Sequence, residues 1–523
     1  MTHPENPAAA TPASGVAGTV AVALSGITKR FGAVVANDGI DLVVPTGTVH
    51  AVMGENGAGK STLMSILFGL TQPDAGQITV EGAPVRFAGA ADAIRVGLGM
   101  VHQHFRLVDE FTVAENVVFG AEPRRFGLID RRAAARRVRE LADRFGLEID
   151  PEARVDTLSA GVRQRVEILK ALHRDARILI LDEPTAVLTP NEVTALFTVI
   201  RRAVDEGTTV LLVTHKIQEV LAISDAVTVL RGGRVTGRFR TADTNATELV
   251  HAMTGREVLE VRNTGTAELG DIVLQVEGLV VGDGRTDRVR DVSLEVRGGE
   301  ILGIAGVSGN GQHELVAAIL GTQRVSSGRI SLLGEDVTTL PVFRRRGIGL
   351  AVIPEDRRGE GLAVTMTIAE NLSLGHHRTP PLGADSGLRR GWLSPRAVKA
   401  WSKELAAAYD VRTPSTAVPA GSLSGGNAQK VVLARELTHN APLLIAEQPT
   451  QGVDVGAIEA IHERLLTYRS KEHAVLLVSH EISELQALAD RIAVMLDGRI
   501  VAVLDRDEAT NERLGAAMSG VAL

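Results

Sequence analysis

Two short stretches of this chain have the residue types and spacing to hold a phosphate chain and to activate the water that would attack it. Gly54, Glu55, Asn56, Gly57, Ala58, Gly59, Lys60 and Ser61, followed by Thr62, match the pattern GxxxxGK[ST]. Its glycines let backbone N–H groups approach phosphate oxygens. Lys60 reaches the β and γ phosphates of a nucleotide, and the Ser61 hydroxyl suits Mg²⁺. The second stretch is Asp182-Glu183, which closes an apolar run. Asp182 suits Mg²⁺ held through water, and Glu183 suits polarisation of an attacking water. Gln103, within Met100–Phe105, suits a position sensing metal and water, and His215 suits a γ-phosphate contact. Each signal has a plainer reading: a glycine turn, a helix cap, a structural histidine. Together they point to hydrolysis of a nucleoside triphosphate. His102, His104, His376 and His377 lack such company and are read as structural.

These side chains need elements that bring them to one edge. Val49–Met53 is a short, mostly apolar run entering the glycine loop, and residues 61–68 have helical spacing. Arg177–Leu181 and Thr209–Val213 read as buried parallel strands, continuous in apolar residues because both faces are covered. The pattern predicts an α/β fold. From about Phe126 to Leu147 the sequence is rich in Arg and Ala at helical spacing, which predicts a helical subdomain inserted before Leu158. Its arginines read as a solvated face.

At 523 residues the chain is too long for one ordinary core. Its net charge of −7 gives no overall electrostatic case for nucleic acid or an anionic membrane as partner. No uninterrupted apolar run is long enough to span a bilayer. Residues 1–22 lack a basic start and an apolar core and read as a flexible tail rather than a signal peptide. There is no cysteine, which excludes disulfides and thiolate chemistry and fits a cytosolic protein.

The motif set occurs twice. Gly306, Gly309 and Gly311 repeat the glycine loop 252 residues after Gly54 (306 − 54). Leu423, Glu447 and His480 each follow Leu158, Asp182 and His215 by 265 residues (423 − 158, 447 − 182, 480 − 215). Two nearly constant offsets mean one duplicated domain with a net insertion of 13 residues (265 − 252), expected in the turn-rich stretch 377–387. The expected domains are residues 23–260 and 271–523, joined by a linker at 261–270.

Leu423-Ser-Gly-Gly-Asn-Ala-Gln429 supplies a second kind of phosphate nest, with Ser424, Gly425 and Gly426 at a helix start. It resembles the signature loop of ABC-type ATPases, and residues from about 23 to 520 resemble a tandem nucleotide-binding subunit of an ABC importer. The resemblance implies two tandem P-loop ATPase domains, each with an inserted helical subdomain. It also implies head-to-tail composite sites for ATP and Mg²⁺. The first would join Lys60, Ser61, Gln103, Asp182, Glu183 and His215 to Ser424, Gly425, Gly426 and Asp454, with Phe31 stacking on adenine. The second would join the other half's motifs to Leu158, Ser159, Ala160 and Gly161. There Gln312 replaces the lysine, His313 the hydroxyl residue, Glu355 the glutamine, Glu447 the aspartate and Gln448 the catalytic glutamate. Ala160 replaces a signature glycine and Thr189 the counterpart of Asp454; His480 is retained. The losses cluster in one site, so that site is expected to hydrolyse weakly or not at all. Its surviving loop serves either nucleotide binding or packing.

Within the family, Pro354–Arg357 and Ala446–Thr450 resemble the simple-sugar and nucleoside branch. Val101–Phe105, Thr112–Asn116, Val166–Leu172, Thr185–Pro190 and Gly309–Gln312 resemble nucleoside-import ATPases. The implied partners are two transmembrane permease subunits and, through them, a substrate-binding lipoprotein, with no nucleic acid; the implied location is the cytoplasmic face of the membrane. Phe105, Leu107, Val108 and Phe111, and Leu362, Val364 and Met366, are candidates for a permease groove or for core. A simple-sugar importer, an exporter ATPase and a soluble ABC-type translation factor are the alternatives. An ABC-type DNA-repair ATPase would bring zinc-binding cysteines.

Overall fold

The computed structural model describes residues 19–32, 34–103, 105–185, 188–256, 261–265, 269–282, 287–307, 309–377, 382–383, 393–453 and 455–520. The chain forms two compact units. One runs to Pro184 and includes Leu196–Met253; the other takes Thr185–Ala195 and the chain from Thr254 onward.

Each unit holds a six-stranded sheet of the same topology. In the first the order is Arg234–Arg240, Ala226–Arg231, Val49–Gly54, Thr209–Thr214, Ile178–Asp182, Leu98–Val101. All neighbours are parallel except the outer pair Ala226–Arg231 and Arg234–Arg240. Every residue of Val49–Gly54, Ile178–Asp182 and Thr209–Thr214 is buried, as expected for strands covered on both faces. The second sheet runs Leu350–Ile353, Leu443–Glu447, Ala474–Val478, Ile301–Ala305, Arg491–Leu496, Arg499–Asp505. A smaller antiparallel sheet accompanies each, formed in the first unit by Val34–Pro45, Val20–Phe31, Ala75–Val80 and Ala83–Val85.

The parallel register aligns the functional ends. Met53 pairs with Thr214, Val213 with Asp182, and Leu181 with Val101. The glycine loop, the acidic pair, His215 and Gln103 therefore all leave the sheet at its carboxyl edge, where open α/β sheets bind ligands.

The helical insertions repeat as well. Val113–Val118 and Ile368–Ser373 both begin with a capping box, Thr112 with Glu115 and Thr367 with Glu370. Each box satisfies helix-start N–H groups and contributes about 1 kcal/mol. Asn116 and Asn371, both buried, clamp the preceding loop by pairing with both backbone groups of Val108 and Ala363. The segment Thr112–Asn116 thus has a structural reason for its wording. The helix expected from about Phe126 starts only at Arg131 and runs to Phe145. Ahead of it a tight hairpin pairs Arg124–Arg125 with Leu128–Ile129, because Phe126 and Gly127 both take positive φ and Asp130 caps the helix. Within the stretch 261–265, which belongs to the second unit, Asn263 is buried and bonded to Ala487 O, Leu488 O and Asp490. Of the expected insertion 377–387, only His377, Leu382 and Gly383 lie within the described residues.

Candidate functional site

The helix Lys60–Leu67 begins directly on the glycine loop. Gly59 takes φ 99°, and a Cβ there would collide with Ala36 O; a Cβ on Gly54 would collide with Leu230 O. Only glycine fits at either place. Buried Lys60 folds back over the loop and donates to Gly54 O at 2.7 Å and Glu55 O at 3.1 Å. Burial lowers its pKa, opposed by the carboxylates of Glu183, Asp182 and Glu55. Ser61 lies exposed and Thr62 partly exposed on the helix's first turn. Asn56 and Gly57 lie exposed in the loop, while Ala58 is buried beneath it.

Glu183 stands directly after its strand, with φ 47°. Gln103 Nε2 donates to its Oε2 at 2.9 Å, and His215 Nδ1 donates to its Oε1 at 2.9 Å. Burial pushes the Glu183 carboxyl up. The His215 hydrogen bond and the charges of His215, Lys60 and Lys216 outweigh that and hold it below the usual range. Glu183 is therefore an ionised acceptor fixed by two donors, which is what a water-polarising carboxylate requires. Next to it, burial and the Glu183 charge push Asp182 up to about 6, against the pull of Lys60. A buried carboxyl so raised is suited to a cation, which would return it to the ionised form. Phe31 ends the strand Val20–Phe31 with 52% of its surface exposed, 5.5 Å from Lys29 Nζ, and offers a free aromatic face.

The second unit keeps the loop and changes its contents. Gly311 has φ 100° and closes on Arg288 O as Gly59 closes on Ala36 O; Gly309 also takes positive φ. Buried Gln312 folds back like Lys60, its amide donating to Val307 O at 3.2 Å, and a Cβ on Gly306 would collide with that amide. Gln448 holds φ 46°, almost the angle of Glu183, but its side-chain oxygen accepts from the His480 backbone N–H at 3.2 Å. Glu447 is pushed up to about 7 by burial, opposed by His313 at 3.6 Å and reinforced by the charges of Glu355 and Glu360. A cavity of about 370 Å³ opens there, lined by His313, Glu355, Glu360, Arg357 and Arg358 among others.

At the helix starts, Ser159 caps Ala160–His173 by accepting from Val162 N at 3.4 Å. Gly161, its neighbour in that first turn, is buried. Ser424 opens Gly425–Thr438 without a side-chain cap; its exposed hydroxyl accepts from Asn427 Nδ2 at 3.0 Å. Gly425 and Gly426 follow in the first turn. Asp454 and His104 lie outside the described residues. His102 packs edge-on against Phe68, and buried His376 stacks on His439 and meets Trp401 at a tilt. Leu362 is core, whereas Val108, Val364 and Met366 are exposed.

Two anchors escape the motif patterns. Buried Asn37 donates to Gly59 O at 3.1 Å and ties the first loop to the neighbouring strand. The closing contacts on Ala36 O and Arg288 O make Val289 its counterpart, which has no amide to offer. There Asn310, inside the loop, instead binds Met495 O at 3.3 Å and accepts from Asp497 N at 3.3 Å. The signal for Asn37 was a lone amide at a buried position of an alternating strand.

Known proteins resemble this chain along nearly its whole length. The chain is 46% identical over 495 residues to the guanosine import ATP-binding protein of Bacillus subtilis, covering 94% of this chain and 96% of the relative. It is 43% identical to the nucleoside import ATP-binding protein of Lactococcus lactis, covering 94% and 97%. It is also 43% identical to a ribose import ATP-binding protein of Rubrobacter xylanophilus, covering 95% and 98%. Among solved structures, the complex of archaeal ribosome recycling factor aABCE1 with a ribosomal stalk protein matches 94% of this chain and 92% of the other. The TM-score is 0.63 at 21% identity, a likeness of fold alone. The family model described as ABC transporter matches residues 37–186 and 289–451, one segment in each half. Two copies of one ATP-binding domain, alike in backbone and in sequence family, make this chain a member of the ABC transporter family.

Proposed function

We propose that this chain is the energy-coupling ATPase subunit of a nucleoside importer, and that its turnover runs through the site headed by Lys60 and Glu183. The observation that carries the catalytic half is the fixed carboxylate: Glu183 is held by Gln103 and His215, while Gln448 at the same backbone position is an amide. Glu183 accepts a proton from water; an amide has no such basicity. Lys60, whose ammonium rests on loop carbonyls, exchanges those partners for phosphate oxygens. The donor set fits Mg²⁺, with one hydroxyl and one carboxylate as hard oxygen ligands and room for phosphates and water. Ser61 and Asp182 would hold it, with Gln103 alongside, and when bound it would neutralise phosphate charge.

The cargo rests on full-length similarity to guanosine and nucleoside import proteins. Similarity to a ribose import protein supports simple sugars as the second reading. Among the described residues no helix is long and apolar enough to cross a membrane. The route for cargo then belongs to partners: two permease subunits, fed by a substrate-binding lipoprotein, with this chain peripheral on the cytoplasmic face. The test is uptake of labelled nucleosides and labelled sugars in cells lacking the chain, complemented by wild type or by Glu183→Gln. Loss of nucleoside uptake alone, restored only by wild type, is the expected result. Loss of sugar uptake instead would transfer the cargo to the second reading. Unchanged uptake of both would overturn import.

A further inference from the structure

The hairpin ahead of the first helical insertion spends residues in a way its folding does not require. Its two-residue turn, Phe126-Gly127, has φ of 52° and 82°. That conformation favours Asn, Asp or Gly at its first position, and a bulky aromatic there is strained. Burial gives no return for that strain: Phe126 is 94% exposed, and its neighbours Leu128 and Ile129 are 75% and 56% exposed. A strained, solvent-facing aromatic at the tip of a two-strand hairpin is a feature to be explained by what it touches.

The surroundings say what that is. Between Arg124 and Arg139 lie seven arginines, at 124, 125, 131, 132, 136, 137 and 139, all exposed, against one acidic residue, Asp130. The segment is therefore +6 (7 − 1) in a chain of net charge −7. The helix Arg131–Phe145 buries Ala134, Val138, Ala142 and Phe145 and turns its arginines outward. Arg125 lies 5.5 Å from the centroid of the Phe126 ring. One of the seven, Arg131, is paired with Glu115, at 3.1 Å.

We infer that this hairpin and the first turns of the helix contact an anionic lipid surface directly. Phe126, Leu128 and Ile129 enter the boundary between headgroups and acyl chains, and the flanking guanidiniums bind headgroup phosphates. The charge is complementary to anionic lipid, and a narrow apolar tip between cations is how interfacial segments divide their side chains. Nucleic acid would use the arginines and the ring but gains nothing from Leu128 and Ile129. The solvated-face reading of these arginines does not account for the apolar tip. The inference does not rest on the importer reading, because lipid contact is measured without permease or cargo.

The test is co-sedimentation of the purified full-length chain with vesicles of phosphatidylglycerol and phosphatidylcholine, and with phosphatidylcholine alone, at low and high salt. Binding is expected to be about tenfold or more tighter to the anionic vesicles and to fall with salt. Phe126→Asn, which suits the turn better, is expected to weaken anionic binding about fivefold or more while leaving the ATPase rate and melting temperature undiminished. Arg124→Glu with Arg125→Glu is expected to weaken it further. Equal binding to both vesicle types, or full binding by Phe126→Asn, overturns the proposal. So does an absence of binding to either vesicle type.

Discussion

The two glycine loops of this chain share a backbone and differ in what fills them. Gly59 and Gly311 close on equivalent neighbouring carbonyls, Ala36 O and Arg288 O, with φ of 99° and 100°, and Glu183 and Gln448 occupy equivalent left-handed positions at 47° and 46°. Lys60 and Gln312 fold back onto equivalent loop carbonyls, Glu55 O and Val307 O. The shape of such a loop is set by glycines and strand ends, so it survives when the chemistry is removed. The chemistry rests on few atoms: an ammonium, a carboxylate held by two donors, and an acidic neighbour. Even the loop's anchor has changed, from Asn37 on the next strand to Asn310 within the loop. The second loop is a maintained structure with different contents.

Breaking the first site gives the largest effect. Glu183→Gln keeps the side chain's size and shape and removes the base, so ATP turnover by the assembled transporter is expected to fall about a hundredfold or more in a phosphate-release assay. Substantial residual turnover would mean that the second site hydrolyses. Next comes pH. Asp182 is pushed up to about 6 by burial and the Glu183 charge, and it must be ionised to hold a cation. The ratio kcat/KM for ATP is expected to drop as pH falls below about 6, approaching tenfold per pH unit.

Glu447 sharpens the comparison through stability. Its folded-state pKa, about 7, is raised above its ordinary value of 4.5, so the native protein holds the proton more tightly than the unfolded chain does. That stabilisation is present at low pH and is lost as pH rises from about 4.5 through about 7. Glu447→Gln is expected to flatten the corresponding fall in melting temperature between about pH 5.5 and 7.5. The smallest effect is Gln448→Ala. With no base to lose, turnover is expected to stay within about threefold of wild type. A loss as deep as that of Glu183→Gln would give the second loop a direct part in turnover.

Much of this was legible in order along the chain. Lys60, Ser61, Asp182 and Glu183 are recognisable because their chemistry demands fixed spacing beside apolar runs, and the duplication follows from nearly constant offsets. The hairpin at Phe126 was not legible as such. Its arginines and alanines carry a helical period, and only the left-handed turn at Phe126-Gly127 breaks it. Nor was the packing role of Thr112–Asn116, which folds as a helix cap with an asparagine clamp, because the partner of Asn116 is set by how the preceding loop turns back.

The sequence by itself determined the family, the duplication and which half lost its lysine and its glutamate, because those are statements about residue identity. Tertiary structure decided how the remaining groups are poised. The parallel register brings Gln103 and His215 onto the two oxygens of Glu183 from residues 80 and 32 positions away. Burial raises Asp182 in one unit and Glu447 in the other, while the His215 hydrogen bond and nearby positive charges hold Glu183 down. Desolvation and hydrogen-bond geometry depend on what surrounds a group in space, and spacing along the chain does not encode that.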